Sequence, residues 1–351
     1  MDIQIALLLA QDGVANGAIY ILVALGLVLI FVVTRIIFVP FGDIAAYAAL
    51  TLASIQLGRT PGTVWVVVVL ALMAVVVEAV TLIFRGEYRR LPKAVLCYLI
   101  LPVAPAALVW ALSGRELPTA VAIILAIALV MPISPLLYRI AFRPIADAPV
   151  LVLLIVAVAV HFAISGIALF FFGPEGVRVQ PLTRAAIELG GIVITIQSLL
   201  IVGASILFSL LLVLIFGRTR TGKALRATAV NRTGARLVGI RPATSAMIAF
   251  LLASGLGGIS GILVGSTTTM YYDSGFIIGL KAFVGAIIGG MTSYPLAGLG
   301  ALFVGLLESY ASFWNSALKE AVVFITLIPI LLWRSLAFVQ IEEEEEDEEV
   351  A

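Results

Sequence analysis

Lys281 and Glu308 are the first candidates for chemistry in this chain, because each ionisable side chain lies inside a long apolar stretch. A charged group is costly in the membrane interior, so each is a candidate functional residue unless a partner explains it. The two stretches run antiparallel through a tight turn, Ser293-Tyr294-Pro295, which places both residues at a similar depth. We therefore predict an intramembrane ion pair, which either locks two helices together or contacts a substrate directly.

Asp43 and a run of hydroxyl residues are the candidates for lining a translocation path. Asp43 follows Pro40-Phe41-Gly42, where it either caps the next helix or lines the inner mouth of a path. Ser266, Thr267 and Thr268 come at the outer end of a glycine-rich apolar stretch, where their hydroxyls could face the same path.

His161 is the only histidine of the chain and lies in the middle of an apolar stretch. It is either a hydrogen-bonded packing residue or part of a proton relay. Glu78 lies near a basic cluster, and we expect its side chain to extend towards Arg85. With one histidine and one cysteine, the sequence offers no cluster of metal ligands, so we predict no metal site.

Residues 217–223 match the opening of a phosphate-binding loop, G-x-x-x-x-G-K, but two features argue against a nucleotide site. Ala224 stands where a Ser or Thr would hold Mg2+, and the real motif follows a β-strand whereas this stretch follows an apolar helix. We therefore expect that this chain does not bind ATP. We predict a transport subunit that is not an enzyme, with no cofactor and no catalytic residue in this chain. If ATP drives the protein, ATP and Mg2+ bind to a separate subunit.

The overall composition places these residues in a membrane protein. Apolar residues make up 62% of the 351 residues, charged residues make up 12%, and the mean hydropathy is +1.20. A soluble domain is nearer to half apolar and a quarter charged. This composition excludes a nucleic-acid-binding protein, a secreted disulfide scaffold and a disordered protein, and it makes the lipid bilayer the protein's surroundings.

A membrane-spanning helix needs about 20 mostly apolar residues, and helix is the default because lipid offers backbone groups no hydrogen-bond partner. We predict an all-α polytopic membrane protein with about eleven spans. The second and ninth are short and interrupted by glycine, so they are candidates for broken or re-entrant helices. The predicted spans are 13–33, 42–58, 63–84, 94–112, 117–137, 148–172, 197–216, 243–268, 276–292, 295–314 and 319–334.

The distribution of Lys and Arg sets the predicted orientation, because cytoplasmic loops carry an excess of both. The largest basic cluster lies between spans seven and eight, so we predict the amino terminus outside and the carboxyl terminus inside. Residues 1–335 then form the transmembrane domain. Eight of the 20 acidic residues lie in one run, 342–349, so we predict a disordered cytoplasmic tail over 336–351, which could instead contact the basic inner surface.

The inner loop 217–241 is rich in Lys and Arg, has no acidic residue, and interleaves its bases with apolar residues. It is either a basic loop facing lipid headgroups or a docking helix for a cytoplasmic partner, which Gly239 ends before Pro242 opens the next span. The outer loop 173–196 begins with the turn signal Gly173-Pro174-Glu175-Gly176. It is either a periplasmic connector or a lip that meets a substrate-delivering protein.

Glycines recur every four residues in two of the predicted spans. Such spacing lets helix backbones approach closely where lipid provides no hydrophobic drive for association. We predict helix-packing roles for these glycines, which are Gly257, Gly261, Gly265, Gly285 and Gly289.

The sequence resembles the inner-membrane permease subunits of branched-chain amino acid ABC importers, a family that includes urea and short-amide permeases. The resemblance rests on the order and spacing of four passages. The resemblance covers about 13–57 and 136–335. The first passage is Asn16-Gly-Ala-Ile-Tyr-Ile-Leu-Val-Ala-Leu-Gly26, followed by Phe41-Gly-Asp43, and the second is Phe142-Arg-Pro144 with Phe172-Gly-Pro174. The third is Gly222-Lys-Ala-Leu-Arg226-Ala-Thr-Ala through Ala235-Arg-Leu-Val-Gly239-Ile. The fourth comprises Gly279-Leu-Lys281-Ala-Phe, Ile288-Gly-Gly290-Met-Thr-Ser, Gly305-Leu-Leu-Glu308 and Lys319-Glu320-Ala-Val.

The resemblance implies the ABC importer permease fold in a bacterial inner membrane. It also implies two cytoplasmic ATP-binding subunits, a second permease that is identical or different, and a periplasmic solute-binding protein. The family's coupling loop matches 222–240 here. The residues that we assign to ATPase coupling on this basis are Gly222, Lys223, Leu225, Arg226, Ala227, Arg232, Arg236, Leu237 and Gly239.

The chain departs from the family pattern in two places. The family's His-Gly-Glu portion reads Pro40-Phe41-Gly42-Asp43 here, and residues 59–116 look longer than the pattern. Because an insertion that keeps the orientation must add an even number of crossings, we predict one extra helical hairpin over 59–116.

The expected function is the permease subunit of an ATP-driven importer for a small polar solute, such as branched-chain or other amino acids, urea or a short amide. The rivals are an ion-coupled secondary transporter and a passive channel. A secondary transporter needs a coupling carboxylate near the membrane midplane, and Glu308 fits that need poorly if Lys281 already neutralises it.

Overall fold

A computed structural model describes residues 3–183, 185–189, 192–291 and 293–333 of the chain. The acidic tail predicted for 336–351 lies outside the described residues. Within them, the predicted helical fold class is confirmed, and one short β-hairpin adds to it.

The helices follow the long apolar runs of the sequence, since every backbone group in lipid must find its hydrogen-bond partner within the same segment. The first half of the chain forms the helices α1 Ile3–Thr34, α2 Phe41–Gln56, α3 Thr63–Phe84, α4 Tyr88–Leu112, α5 Thr119–Ile145 and α6 Val150–Phe172. The strands β1 Ala186–Leu189 and β2 Ile192–Thr195 follow. The remaining helices are α7 Ile196–Arg218, α8 Arg220–Val230, α9 Arg232–Leu237, α10 Pro242–Thr267, α11 Ser274–Ile288, α12 Tyr294–Trp314 and the helical residues 319–333, which we call α13.

In the described ranges, eight helices are long and apolar enough to cross a membrane. The predicted second and ninth spans are the helices α2 and α11, which have 16 and 15 residues. At a rise of about 1.5 Å per residue, neither reaches across about 30 Å of hydrocarbon. The eleven crossings and their orientation stay predictions.

Helix α1 lies at the centre of the bundle, where α10, α11 and α12 pack around it. The packing with α12 depends on small residues in both helices. A Cβ atom at Gly305 would lie 2.3 Å from the backbone nitrogen of Gly17, and a Cβ at Gly13 would lie 2.9 Å from Leu306 Cα. The two backbones are therefore in direct contact.

The five glycines for which we predicted packing roles lie where helices approach one another. A Cβ at Gly261 would lie 1.9 Å from the carbonyl oxygen of Ala45 in α2, and one at Gly265 would lie 2.8 Å from Ala49 Cβ. A Cβ at Gly257 would lie 3.3 Å from the Phe41 ring. A Cβ at Gly285 would lie 2.6 Å from Ala301 Cα, and one at Gly289 would lie 2.2 Å from Ala297 N. Four of these contacts are too close for any side chain.

Gly261→Ala should therefore lower the thermal stability of the detergent-solubilised protein strongly, because the new methyl group cannot fit against the Ala45 carbonyl without a backbone shift. Overpacking of this kind typically costs about 1–3 kcal/mol. The matched control is Gly166→Ala in α6, where a Cβ meets nothing within 4 Å. Equal melting temperatures of the two variants would contradict the close approach of α2 and α10.

Residues 59–116 contain α3 and α4, which are joined by a short turn at 85–87 and pack against each other as a helical hairpin. Both helices leave most of their surface exposed, since 33% of the apolar window of α3 and 22% of that of α4 are buried. Exposed apolar residues such as Phe84 and Leu101 are suited to contact lipid.

The outer loop 173–196 is partly ordered by β-structure. Strands β1 and β2 pair antiparallel, with Ala186 opposite Thr195. Nearer to α6, Val177 and Met270 exchange backbone hydrogen bonds of 2.9 and 2.8 Å, which fasten the loop to the segment between α10 and α11.

Candidate functional site

The basic loop after α7 folds into two short helices, α8 and α9, whose first turns are capped by side chains. Thr219 accepts a hydrogen bond from the backbone N–H of Gly222 at 3.0 Å, and Asn231 accepts one from the N–H of Gly234 at 2.8 Å. Gly239 has a φ angle of 83°, a left-handed conformation that suits glycine at a helix end. The loop is therefore a structured segment, and we call residues 219–239 the coupling segment.

The inner face of the coupling segment is anchored on the transmembrane bundle. Leu225 is fully buried, and the Thr228 hydroxyl donates to the Ser245 hydroxyl of α10 at 3.0 Å. Arg232 donates to the carbonyl oxygen of Thr34, the last residue of α1, at 3.3 Å. The two core helices α1 and α10 are thus both joined to this segment.

The coupling segment also packs closely against the end of α7. A Cβ atom at Gly222 would lie 2.2 Å from the carbonyl oxygen of Ile215 and 2.5 Å from Phe216 Cα. Backbone therefore touches backbone between the last turns of α7 and the first turn of α8. We expect α8 to follow any movement of the end of α7.

The outer face of the coupling segment, which is the side that points away from the transmembrane bundle, carries a shallow groove between α8 and α9. Its volume is about 560 Å3. Val230, Leu237 and Val238 are 87%, 84% and 74% exposed at or near it. The residues that line the groove are Lys223, Arg226, Ala227, Val230, Asn231, Gly234, Ala235 and Val238.

The residues assigned to ATPase coupling separate into two groups. Gly222 and Leu225 are buried, so they hold the segment in place. The exposed ones are Lys223, Arg226, Arg236, Leu237 and Gly239, while Ala227 and Arg232 are half-buried. An exposed surface that combines cations with aliphatic side chains fits a partner with acidic and apolar residues.

The bundle interior holds a second group of functional candidates around Glu308. Lys281 and Glu308 lie 2.7 Å apart between Nζ and Oε1, and both side chains are almost fully buried. The Tyr20 hydroxyl of α1 donates to the other carboxylate oxygen at 2.6 Å. Lys319 Nζ lies 3.9 Å from Glu308, and Glu320 lies 3.5 Å from Lys281.

The four-charge cluster of Lys281, Glu308, Lys319 and Glu320 joins α11, α12 and α13, and Tyr20 connects it to α1. Sequence reasoning paired Lys281 with Glu308 but missed the other members. Lys319 and Glu320 stand in the family-like passage at the end of the chain, so their position was a usable signal. Tyr20 also stands in a family-like passage, but nothing in the sequence pairs it with Glu308, because its hydroxyl reaches Glu308 only through the packing of α1 on α12.

Asp43 and His161 form a buried pair. Asp43 Oδ2 and His161 Nδ1 are 2.6 Å apart, and the imidazole stacks on Phe276 of α11 with ring centroids 4.6 Å apart. The Asp43 side chain does not cap α2, so that alternative is wrong. The second carboxylate oxygen, Oδ1, is buried and has no hydrogen-bond partner among the residues that the structure describes. A role of Asp43 in a translocation path stays a prediction.

His161→Ala should destabilise the protein more than the double variant Asp43→Ala/His161→Ala. The single change strands a buried carboxylate that is 1% exposed, whereas the double change removes both polar groups. Leaving a buried hydrogen-bonding group without its partner typically costs about 1–3 kcal/mol, and more where the group is charged. Melting temperatures in detergent test this order, and a double variant less stable than the single one would contradict it.

The hydroxyl run at the end of α10 is engaged with its own helix. Ser266 donates to the Leu263 carbonyl at 2.6 Å, and Thr267 and Thr268 both donate to the Val264 carbonyl. Ser266 also accepts a hydrogen bond from Gln197 at 2.8 Å. Their assignment to a translocation path stays a prediction that these contacts do not favour.

The expectation for Glu78 is wrong. Its carboxylate pairs with Arg139 and Arg143 of α5 instead of Arg85, with a distance of 3.0 Å to Arg143. Arg139 also donates to the Thr81 hydroxyl at 3.2 Å. Glu78 therefore ties the α3–α4 hairpin to α5.

The sequence is similar to a known family of membrane transport proteins. The family model for the permease component of branched-chain amino acid transport systems matches residues 94–331. The match begins within α4, so part of the stretch 59–116 that we treated as an insertion aligns with the family. Residues 13–57, which we also found similar, lie outside the match.

Two curated relatives extend the comparison. The high-affinity branched-chain amino acid transport system permease protein BraD of Pseudomonas aeruginosa is 29% identical over 203 residues, which are 56% of this chain and 66% of BraD. The permease protein LivH of the corresponding system of Escherichia coli K12 is 27% identical over 202 residues, which are 55% of this chain and 65% of LivH. The chain thus spans just under two thirds of each relative.

No solved structure matches the chain significantly. The family model, in contrast, spans well over half of the 351 residues, including the coupling segment and the buried charge cluster. This protein therefore belongs to the family of permease components of branched-chain amino acid transport systems.

Proposed function

We propose that this protein is the membrane-spanning permease subunit of an ATP-driven importer. The observation that carries the proposal is the coupling segment, which is anchored on α1 and α10 by its inner face and leaves a basic and apolar groove on its outer face. Family membership supports the same function. The chain translocates solute and is not itself an enzyme.

In this proposal, two cytoplasmic ATPase subunits bind ATP and Mg2+ and hold the coupling segments of two permease chains, identical or different. A partner can drive a conformational change only if it contacts the two states differently. The contacts of α8 and α9 with α1, α7 and α10 supply the mechanical link. Closure of the ATPases then moves the core helices between outward-facing and inward-facing arrangements.

The proposed substrates are branched-chain amino acids, as the names of BraD and LivH indicate for those proteins. Other amino acids, urea and short amides are the alternatives from the wider family. We propose that a periplasmic solute-binding protein delivers the substrate to the outer face of a bacterial inner membrane. In this proposal, that binding protein sets most of the selectivity.

The direct test is uptake of radiolabelled leucine into proteoliposomes that contain this protein with its ATPase subunits, second permease and binding protein. We expect uptake that requires ATP inside and binding protein outside. Replacing the phosphate-binding lysine of the ATPase subunits should abolish it. Leucine uptake by this chain alone, with no ATP, would reject the importer and favour a secondary transporter or a channel.

The orientation has a separate test at the start of α4, beside the turn at 85–87. A single cysteine introduced by Tyr88→Cys should react with a membrane-impermeant maleimide only after the cells are permeabilised. Tyr88 is 59% exposed, so access to the reagent is not limited by packing. Cys97, the one native cysteine, is also exposed and is first changed by Cys97→Ser. Labelling of intact spheroplasts from outside would reverse the topology of the hairpin.

A further inference from the structure

A basic groove lies between the α3–α4 hairpin and the ends of α5 and α10, away from the coupling segment. Its volume is about 450 Å3. The residues that line it come from four helix ends, so the groove lies at one end of the bundle. Five of them are cationic, namely Arg85, Arg90, Lys93, Arg143 and Arg241.

The acidic side chains of this groove do not neutralise it. Glu78 and Glu87 are the two acids that line it. Glu78 is already shared between Arg139 and Arg143, and Glu87 pairs with Arg90 at 2.7 Å. Five cations against two acids leave three positive charges in the groove.

Three of the cations have no acidic partner among the described residues. Arg85, Lys93 and Arg241 are exposed, come from three different places in the chain and take part in no salt bridge there. Cations that converge in one cavity repel one another, so an anion that fills the cavity stabilises the arrangement. The charge pattern thus indicates an anionic ligand.

The walls of the groove indicate what the anion is attached to. Leu82, Ala94 and Met247 line it together with the charged residues. The helices beside it expose apolar side chains that suit contact with lipid, since Phe84 is 87% and Leu96 is 52% exposed. Basic pockets between transmembrane helices at the headgroup level suit phospholipid head groups, whose acyl chains continue along the apolar surface.

We infer that this groove binds the phosphate of an anionic phospholipid, with Arg85, Lys93 and Arg241 contacting the head group. Arg143 stays with Glu78 and joins the site to α5. A bound lipid would hold the α3–α4 hairpin against α10. Among the described hydrogen bonds, the weak contact of the Tyr98 hydroxyl with the Met247 sulfur at 3.5 Å is the one that joins the hairpin to α10.

The test measures phosphatidylglycerol retained by the full-length protein after extensive detergent washing, by native mass spectrometry. The variant Arg85→Gln/Lys93→Gln/Arg241→Gln should bind added phosphatidylglycerol about a hundredfold more weakly, because each cation near an anionic lipid surface contributes about fivefold. The matched control is Arg59→Gln/Arg89→Gln/Arg115→Gln, which removes the same charge from exposed positions outside the groove. The control should bind like the unchanged protein.

Competing ligands distinguish the sources of the anion. Phosphatidylcholine and inorganic phosphate should each fail to displace phosphatidylglycerol at equal concentration. Displacement by inorganic phosphate alone would show a free-anion site, and equal weakening in both triple variants would show a diffuse charge effect. If phosphatidylglycerol binds only after the eight acidic residues of 342–349 are changed to Gln or Asn, the tail is the occupant. Each of these three results would overturn the lipid site.

Discussion

Arg226→Glu should abolish the co-purification of the ATPase subunits with this protein. Arg226 is exposed on α8 and lines the groove of the coupling segment. No acidic residue lies within 217–241, so we expect the partner surface that meets this segment to be acidic. Placing like charges face to face across an interface costs several kcal/mol. Such a penalty corresponds to a loss of binding of a hundredfold or more.

The control for this experiment is Arg220→Glu, which reverses an exposed arginine of the same helix that does not line the groove. It should retain most of the ATPase, because only long-range charge changes. Affinity purification in mild detergent measures both variants, and their melting temperatures verify that each is folded. Full retention of the ATPase by the Arg226→Glu variant would remove the main support for the proposed function.

Lys281→Glu or Glu308→Lys alone should prevent the accumulation of folded protein. Each single change puts two like charges in the place of a 2.7 Å ion pair whose side chains are 6% and 7% exposed. Breaking a buried pair typically costs about 3–5 kcal/mol, which is a large part of the stability of an ordinary domain. Fluorescence-detected size-exclusion chromatography of a tagged protein gives the amount folded.

The double variant Lys281→Glu/Glu308→Lys should recover folding only in part. The reversed charge at 281 would face Glu320, and the reversed charge at 308 would face Lys319. Adding Lys319→Glu and Glu320→Lys should therefore bring the yield closer to that of the unchanged protein. If all four reversals together fold no better than the single ones, orientation within the cluster matters more than charge balance, and the ion-pair explanation fails.

Sequence reasoning found Lys281 and Glu308 because both interrupt apolar runs on either side of a short turn, which sets their relative depth. It failed for pairs whose partners are distant along the chain. Asp43 and His161 are 118 residues apart, and only the packing of α2 against α6 and α11 reveals their contact. For Glu78, the nearest arginine along the chain was the wrong choice, since α5 places Arg139 and Arg143 closer.

The coupling segment shows the same limit on a smaller scale. Its amphipathic character could be predicted, but the roles of its two leucines could not. Leu225 is fully buried while Leu237 is 84% exposed. Because α8 ends at Val230 and a new helix begins at Arg232, the helical periodicity of one does not continue into the other. The break at Asn231 decides which apolar side chains face the bundle.

The weak burial of α7 has a consequence for the membrane itself. Only 22% of its apolar window is buried, although Ser205 anchors it to the Ala18 carbonyl of α1 at 2.7 Å. Its 23 residues rise about 35 Å, which exceeds the hydrocarbon thickness of about 30 Å, so either the helix tilts or the bilayer thickens locally to match it. Since α8 touches the backbone of its last turns, we expect acyl-chain length to change the angle at which α8 is presented, and thin and thick vesicles to differ in coupling efficiency.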